Sequence, residues 1–210
     1  MNINFFSSSL SSCRPNHSCE TAVVRVVNDI LLALDRGDEA ILLLLDYSAA
    51  FDSISQEKLL LRLEKRYGIC GNALKLISSY LENRTHCVVI GDSKSDLHSN
   101  LHGVPQGSVI GPLAYSLYSA PIQDIIVHHG LNCMMYADDT QVYVCIVKGT
   151  QADAISKLQA CIYDVKCWSQ QNYLKLNSKK TEVLQIFSKF RQSQQIDNVI
   201  LDETVVHTAT

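Results

Sequence analysis

Asp46 closes a run of aliphatic residues, Ile41 to Leu45, and Asp138 and Asp139 stand side by side between the apolar stretches at Cys133–Met135 and Val142–Val144. Neighbouring residues of an extended strand point to opposite faces, so the adjacent pair can cooperate only at a bend. A hairpin tip there brings two carboxylates to one point in space, which is costly unless a cation neutralises them. Three carboxylates on adjacent central strands would make a hard-oxygen site of the kind that holds magnesium, with waters and substrate phosphates completing the shell. Two such ions can activate an attacking hydroxyl and stabilise a leaving phosphate oxygen. The chemistry indicated is phosphoryl or nucleotidyl transfer.

Taken singly, each feature has an ordinary explanation. Asp46 could be a strand-end residue or helix cap, and an Asp-Asp pair is common turn chemistry. Between them lies a Gly- and Pro-punctuated stretch, Gly103-Val-Pro-Gln-Gly-Ser-Val-Ile-Gly-Pro112. Such a stretch can be no more than a loop leading into a helix. It is not a P-loop, because no lysine follows Gly107 and no G-x-x-x-x-G-K-[ST] occurs in the chain.

The elements that must position these residues can be read from periodicity. From Glu20, the residues Ala22, Val23, Val26, Val27, Ile30, Leu31 and Leu34 recur at helical steps, and Gly37 stops the helix. Ile41–Leu45 is continuous rather than alternating, as in a strand covered on both faces. Ser53-x-x-Gln56 has capping-box form and opens a helix through Leu59, Leu60, Leu63 and Tyr67, closed by Gly68. A further helix is expected over 72–81, then a strand at Cys87–Ile90, a turn at Gly91-Asp92 and a return strand over 95–98. A long apolar helix follows over 112–127, with Pro112 suited to its first turn. After the Asp-Asp hairpin, Thr150 caps a helix with the stripe Ile155, Leu158, Ile162, Val165 and Trp168, and a strand is expected over 183–187. Residues 1–18 are Ser- and Asn-rich without a period and are expected to be poorly ordered. Residues beyond Ser188 read as polar and sparsely patterned.

Composition bounds the rest. Of the 210 residues, 47% are hydrophobic, enough for a real core in one domain or two small ones. With 18 Lys and Arg against 21 Asp and Glu, the net charge of −3 gives no basic signature of a nucleic-acid partner. The eight cysteines form no C-x-x-C pair and several lie in apolar runs, so they read as reduced core thiols. No secretory signal or membrane span is recognisable, which points to an intracellular protein of the nucleus or cytoplasm.

Four motifs then occur in order: Leu43-Leu-Leu-Asp-Tyr-Ser-Ala-Ala-Phe-Asp52, Gly103 to Pro112, Tyr136-Ala-Asp-Asp139, and Leu174-Lys-Leu-Asn-Ser-Lys-Lys-Thr-Glu182. Together they resemble the reverse transcriptase domain of non-LTR (LINE-like, jockey-type) retrotransposons, over residues 14–187. The resemblance implies an α+β right-hand polymerase palm, an antiparallel sheet flanked by helices, spanning 19–187 with partial fingers. Residues 188–210 would extend toward a thumb that is lacking. It implies RNA-directed DNA synthesis with two Mg²⁺ ions, for which Mn²⁺ could substitute, and as partners an RNA template, a DNA primer and dNTPs.

Residue by residue, the resemblance makes Asp46, Asp138 and Asp139 the catalytic metal ligands, with the Tyr47 carbonyl near the first. Phe51 would pack under the sugar of the incoming nucleotide and leave no room for a 2′-hydroxyl. Pro105, Gln106 and Gly107 would contact nucleotide and template, and Tyr136 and Ala137 would lie beneath the primer end. Lys180 would protonate or neutralise the leaving pyrophosphate. Asp52 is expected to be structural, at a helix start. Because the family's upstream fingers strands have no counterpart here, the chain reads as truncated. Two alternatives stay open: a catalytically incompetent remnant of such an element, and a related palm of intron-maturase or RNA-templated RNA polymerase type.

Overall fold

The aliphatic run that ends in Asp46 is the middle of a sheet. The computed structural model describes residues 9–105 and 107–188, and the backbone of 198–201 and 204–209. In chain order the first elements are α1 (Cys19–Arg36), β1 (Glu39–Leu45), β2 (Tyr47–Ser48), α2 (Gln56–Lys65) and α3 (Gly71–Leu81). A projecting hairpin carries β3 (Thr85–His86), β4 (Val89–Ile90), β5 (Ser93–Lys94) and β6 (His98–Ser99). Then come α4 (Ile110–Ser119), α5 (Pro121–His128), β7 (Asn132–Tyr136), β8 (Asp139–Ile146) and α6 (Gln151–Gln171). The chain continues through β9 (Lys175–Leu176), β10 (Glu182–Ile186), β11 (Asn198–Leu201) and β12 (Thr204–Ala209).

The main sheet has the order β11-β12-β10-β1-β8-β7. Its neighbours run antiparallel except β12, which joins β10 in parallel. β1 alternates its aliphatics between two cores. Ile41, Leu43 and Leu45 pack with Leu59 and Leu63 of α2, Tyr115 and Tyr118 of α4, and Leu158 and Val165 of α6. Ala40 and Leu42 turn the other way, toward Ala22, Val26 and Ile30 of α1. An unbroken apolar sequence is what a strand with helices on both faces requires.

The helices begin and end for local reasons. Ser18 and Thr21 form a reciprocal capping box for α1, and Gly37, at φ +87°, returns its N–H to the carbonyls of Ala33 and Leu34. Tyr143 of β8 donates to Asp29 of α1 at 2.5 Å, tying this helix to the sheet. On the opposite side Arg62 of α2 donates to the Tyr118 carbonyl and to Asn172 Oδ1, with its guanidinium over the Tyr118 and Trp168 rings. That single side chain locks α2, α4 and the end of α6 together.

Several expectations are corrected. The cap of α2 is Ser55, whose hydroxyl accepts from the Lys58 amide, whereas Ser53 bonds back to the Ala49 carbonyl. Asp52 is therefore not the helix-start residue and lies in the exposed turn before it. The apolar run over 112–127 is two helices, because Pro121 has no N–H to continue α4 and instead opens α5. The 87–98 hairpin is split into two short ladders, β3–β6 and β4–β5, with its return strand starting at Ser93.

Residues 9–12 are buried: Ser9 and Ser11 bond the Met135 backbone, and Ser12 meets the Ser116 hydroxyl at 2.6 Å. Met1–Ser8 lie outside the described residues. The sparsely patterned C-terminus contributes β11 and β12 to the sheet. All eight cysteines are free thiols, but Cys13, Cys19 and Cys70 are exposed rather than in the core. Among the described residues no helix is long and apolar enough to cross a membrane.

Candidate active site

Strand register brings the carboxylates together. Leu45, the last residue of β1, faces Thr140 of β8, so the residue that follows it, Asp46, arrives beside Asp139. Tyr136 pairs with Asp139 across a tight turn made by Ala137 and Asp138. Ala137 takes φ +53°, a left-handed conformation that costs a residue with a side chain and that the surrounding ladder must enforce. The bend deduced for the Asp-Asp pair is thus real, with Asp138 on the turn and Asp139 starting the return strand.

Charge is concentrated here with little internal compensation. Partial withdrawal from water raises the Asp139 pKa, and the charges of Asp138 and Asp46 add to the shift. Asp46 Oδ2 is buried and has no hydrogen-bond partner among the described residues. Lys180 Nζ stands 3.8 Å from it, on a side chain that is 70% exposed. At that distance and exposure the lysine screens the carboxylate weakly and stays free to swing.

The backbone around Asp46 is clasped by the 174–182 motif. The Asn177 amide donates to the Asp46 carbonyl at 2.9 Å, and β2 pairs with β9, Tyr47 against Leu176. Asn177 in turn accepts at its carbonyl from the amides of Lys180 and Thr181 and from the Thr181 hydroxyl. The Tyr47 side chain is buried against α6, its hydroxyl 3.2 Å from that of Ser169, so only its backbone lies toward the carboxylates.

The Gly/Pro-rich loop is stitched to the same corner from the other side. The Gly103 amide donates to the Ile54 carbonyl at 2.7 Å and the Val104 amide to the Phe51 carbonyl at 3.1 Å. A Cβ on Gly103 would meet Asp52 Cα at 2.9 Å, and its φ is +79°, so close approach and conformation both demand glycine. Ser108 accepts from the Gly111 amide at 3.0 Å and turns the chain into α4. The Phe51 ring lies over Tyr115 of α4, centroids 5.0 Å apart, beside a cleft of about 360 Å³ lined by Phe51, Pro105, Gly107, Ser108, Gly111 and Pro112. Gln106 lies outside the described residues.

Among the described residues no three Asp, Glu, His or Cys side chains close on one point as a ready-made metal cage. The donor set still suits a hard divalent cation: carboxylate oxygens, one of them buried and without a hydrogen bond among the described residues, in a patch whose own repulsion a cation would relieve. Sites that share their ion with substrate phosphates leave much of the shell to substrate and water.

The reverse transcriptase (RNA-dependent DNA polymerase) family model matches residues 1–199. The chain belongs to the reverse transcriptase family. This reverse transcriptase domain is 32% identical over 172 residues to the "Probable RNA-directed DNA polymerase from transposon X-element" of Drosophila melanogaster, covering 80% of the chain and 18% of that protein. It is 30% identical over 174 residues to the RNA-directed DNA polymerase from mobile element jockey of the same species, again covering 80% of the chain and 18% of the relative. The jockey-type resemblance drawn from the four motifs is borne out. The chain spans about a fifth of the length of the curated relatives it matches.

Among solved structures the domain is similar to apo telomerase from Candida tropicalis truncated from its C-terminal domain. The TM-score is 0.65 at 15% identity, over 94% of this chain and 38% of that one. Telomerase from Candida albicans in complex with a fragment of telomeric RNA gives 0.63 at 15% identity, over 91% of this chain and 33% of that one. At such identities the likeness speaks for the fold, and it agrees with the α+β palm expected from the motifs.

Two residues of the reverse transcriptase corner were not singled out by sequence reasoning. Asn177 lies inside a recognised motif, but its tie to Asp46 is made by the backbone amide, which any residue except proline supplies, so its side chain gives no signal of it. Tyr115 was one of many apolar-helix residues, and nothing in its spacing distinguishes it from Tyr118.

Proposed function

We propose that this chain is the polymerase palm of an RNA-directed DNA polymerase, adding deoxynucleotides to a primer 3′-hydroxyl on an RNA template. The observation that carries the reading is the register that sets Asp46 beside Asp139 and the Asp138 turn, with Asp46 Oδ2 left without a hydrogen bond. Asp46, Asp138 and Asp139 would hold two Mg²⁺ ions, or Mn²⁺ in their place, together with the Tyr47 carbonyl. When bound, the cations supply the positive charge that favours an ionised primer hydroxyl and offsets charge on the departing pyrophosphate.

The chain's own groups do the rest. Phe51 is held at fixed height by Tyr115 beneath it and by the Val104 amide on its carbonyl. An aromatic face so fixed excludes a 2′-hydroxyl by contact and offers it no hydrogen-bond partner. Pro105 and Gly107 border the neighbouring cleft; they and Gln106 would meet nucleotide and template, while Tyr136 and Ala137 would support the primer end. Lys180, weakly held near Asp46, would deliver a proton or a positive charge to the pyrophosphate. The set of unpaired thiols supports action inside the cell. Of the enzyme alternatives, RNA-dependent DNA polymerase is the one the family match supports.

Primer extension on an RNA template is the test. Asp138→Ala should abolish extension in the intact polypeptide, and retained activity would overturn the metal assignment. Phe51→Ala should raise ribonucleotide use at least about tenfold relative to deoxynucleotide, the scale on which pocket contacts discriminate. Unchanged sugar selection would remove Phe51 from that role.

A further inference from the structure

Two helices end in the same backbone turn but fill it differently. After α1 the Gly37 amide donates to the Leu34 carbonyl and the Asp38 amide to the Ala33 carbonyl; after α6 the Tyr173 amide donates to Gln170 and the Leu174 amide to Ser169. This turn needs a left-handed residue, and glycine is its usual occupant. Gly37 supplies it at φ +87°, whereas Tyr173 is held at φ +58°. Among the described non-glycine residues with positive φ, Tyr173 is the only aromatic. A Cβ in that conformation costs stability, so a large ring kept there points to a use outside the turn.

Burial does not offset the cost, since Tyr173 is 59% exposed. The groups it meets are polar. Lys58 Nζ of α2 lies 5.3 Å from the ring centroid, and the His102 ring lies 6.2 Å away at a tilt of 44°. The Lys58 ammonium donates to the Gln171 carbonyl at 2.6 Å and forms no ion pair among the described residues. An ammonium has three donors, and Gln171 takes one of them. His102 is bridged to Ser55 at the α2 cap and immediately precedes Gly103 of the stitched loop. Three separate elements thus converge on one exposed ring. Lys175, Lys179 and Lys180 follow it in the chain, all exposed, and Lys180 stands beside Asp46. In a protein of net charge −3 this is a local concentration of positive charge.

We infer that Tyr173, Lys58 and His102 form a stacking subsite for an unpaired nucleotide of single-stranded nucleic acid: the base lies on the Tyr173 ring and the phosphate takes the Lys58 ammonium. The inference rests on the reading of the chain as a polymerase palm for the kind of partner, and needs neither the cation ligands nor Phe51. An aromatic ring is a sequence-tolerant platform because every base has a π-face, and a cation beside it holds the strand's backbone. Lys58 and His102 brace the ring while more than half of the residue stays open.

The experiment measures, by fluorescence anisotropy at low salt without divalent cation, the binding of labelled oligouridine and oligothymidine of about twelve nucleotides. The proteins are the unaltered chain, Tyr173→Gly, Tyr173→Phe and Lys58→Gln, with melting curves on the same samples. Tyr173→Gly is expected to bind about tenfold more weakly, the contribution of one stacked base. Its Tm should rise by roughly 2–4 °C, because the turn then has its preferred residue. Tyr173→Phe keeps the ring and should bind as the unaltered protein does. Lys58→Gln should flatten the salt dependence by the share of about one phosphate contact. The arm with the larger loss identifies the strand, RNA for template and DNA for primer. Equal affinity in Tyr173→Gly overturns the subsite and leaves the polymerase reading standing, since the protein still holds nucleic acid. A fall in the Tm of Tyr173→Gly also overturns it, since the ring would then be serving the fold. Binding of neither oligonucleotide by the unaltered protein overturns the subsite as well, and primer extension then decides the polymerase reading on its own.

Discussion

The carboxylate corner and the projecting hairpin of β3–β6 are built from similar materials, short strands and tight turns, yet they are held in opposite ways. At the corner every short segment is bonded to a neighbour that is buried or half-buried: Asp46 to Asn177, Tyr47 to Leu176 and Ser169, Phe51 to Val104, Ile54 to Gly103. The strand residues of the hairpin are exposed throughout, and Val89 and Ile90 at its tip are 63% and 77% exposed. Among the described residues its strands pair only with one another, β3 with β6 and β4 with β5. An isolated two-stranded ribbon is marginal in water. Backbone ties to a core allow polar, mutually repelling side chains to be displayed at fixed positions, whereas ladder hydrogen bonds alone display a surface that is free to open.

The largest effects should come from breaking the corner's chemistry without touching its ties. Asp46→Asn keeps the backbone bond to Asn177 and loses no side-chain hydrogen bond at Oδ2. Stability should stay within about 0.5 kcal/mol while primer extension is lost. Urea unfolding and an extension assay on the same sample decide this, and a large stability loss would mean that Asp46 is structural. Next comes the foundation itself. Leu43 is fully buried in β1, between Val142 of β8 and Val183 of β10. Leu43→Ala should cost about 2–5 kcal/mol by urea unfolding. A cost under about 1 kcal/mol would show that β1 is not the centre on which the corner depends.

How much of this was legible beforehand follows from what kind of force acts at each place. Ile41–Leu45 announces a doubly covered strand because burial on both faces needs apolar residues at every position, and Asp46 and Asp138-Asp139 stand out against such runs. The order of the four motifs then named the fold. Ser9–Ser12 could not be read, because they are buried through hydrogen bonds to Met135 and Ser116, and hydrophobic periodicity is blind to that. Tyr115 was hidden for a related reason: its ring contact is with Phe51, distant in sequence. Pro121 was readable, since proline interrupts a helix on its own chemistry, but the apolar residues around it concealed the break. The capping signal of α2 was equally local: Ser53 and Ser55 both precede the helix, and the choice between them depends on Ser53 being drawn back to Ala49.

Gly103 is the stitch between loop and corner, so loosening it should have an intermediate effect. Alanine there must adopt φ +79° and push against Asp52 Cα at 2.9 Å. Gly103→Ala should cost about 1–3 kcal/mol, the range for a residue held in a disfavoured conformation. The KM for deoxynucleotide should rise as well, because the same displacement shifts Phe51 and the cleft beside it. A stability loss with unchanged KM would separate the stitch from the cleft.

The smallest effect belongs to the hairpin. Ile90 is 77% exposed at the tip and pairs only with Ser93. Ile90→Ser removes no packing, and the backbone bonds of its turn are indifferent to the side chain, so stability should change by no more than about 0.5 kcal/mol. Hydrogen exchange gives the finer measurement. The amides of β4 and β5 should exchange orders of magnitude faster than those of β1, in Ile90→Ser and the unaltered protein alike, because opening the ribbon uncovers no apolar core. Protection in β4 comparable to β1 would mean that Val88, Val89 and Ile90 are covered in solution. A drop of that protection in Ile90→Ser would then identify the apolar tip as the surface being covered, and the hairpin would join the corner as a region held by something other than itself.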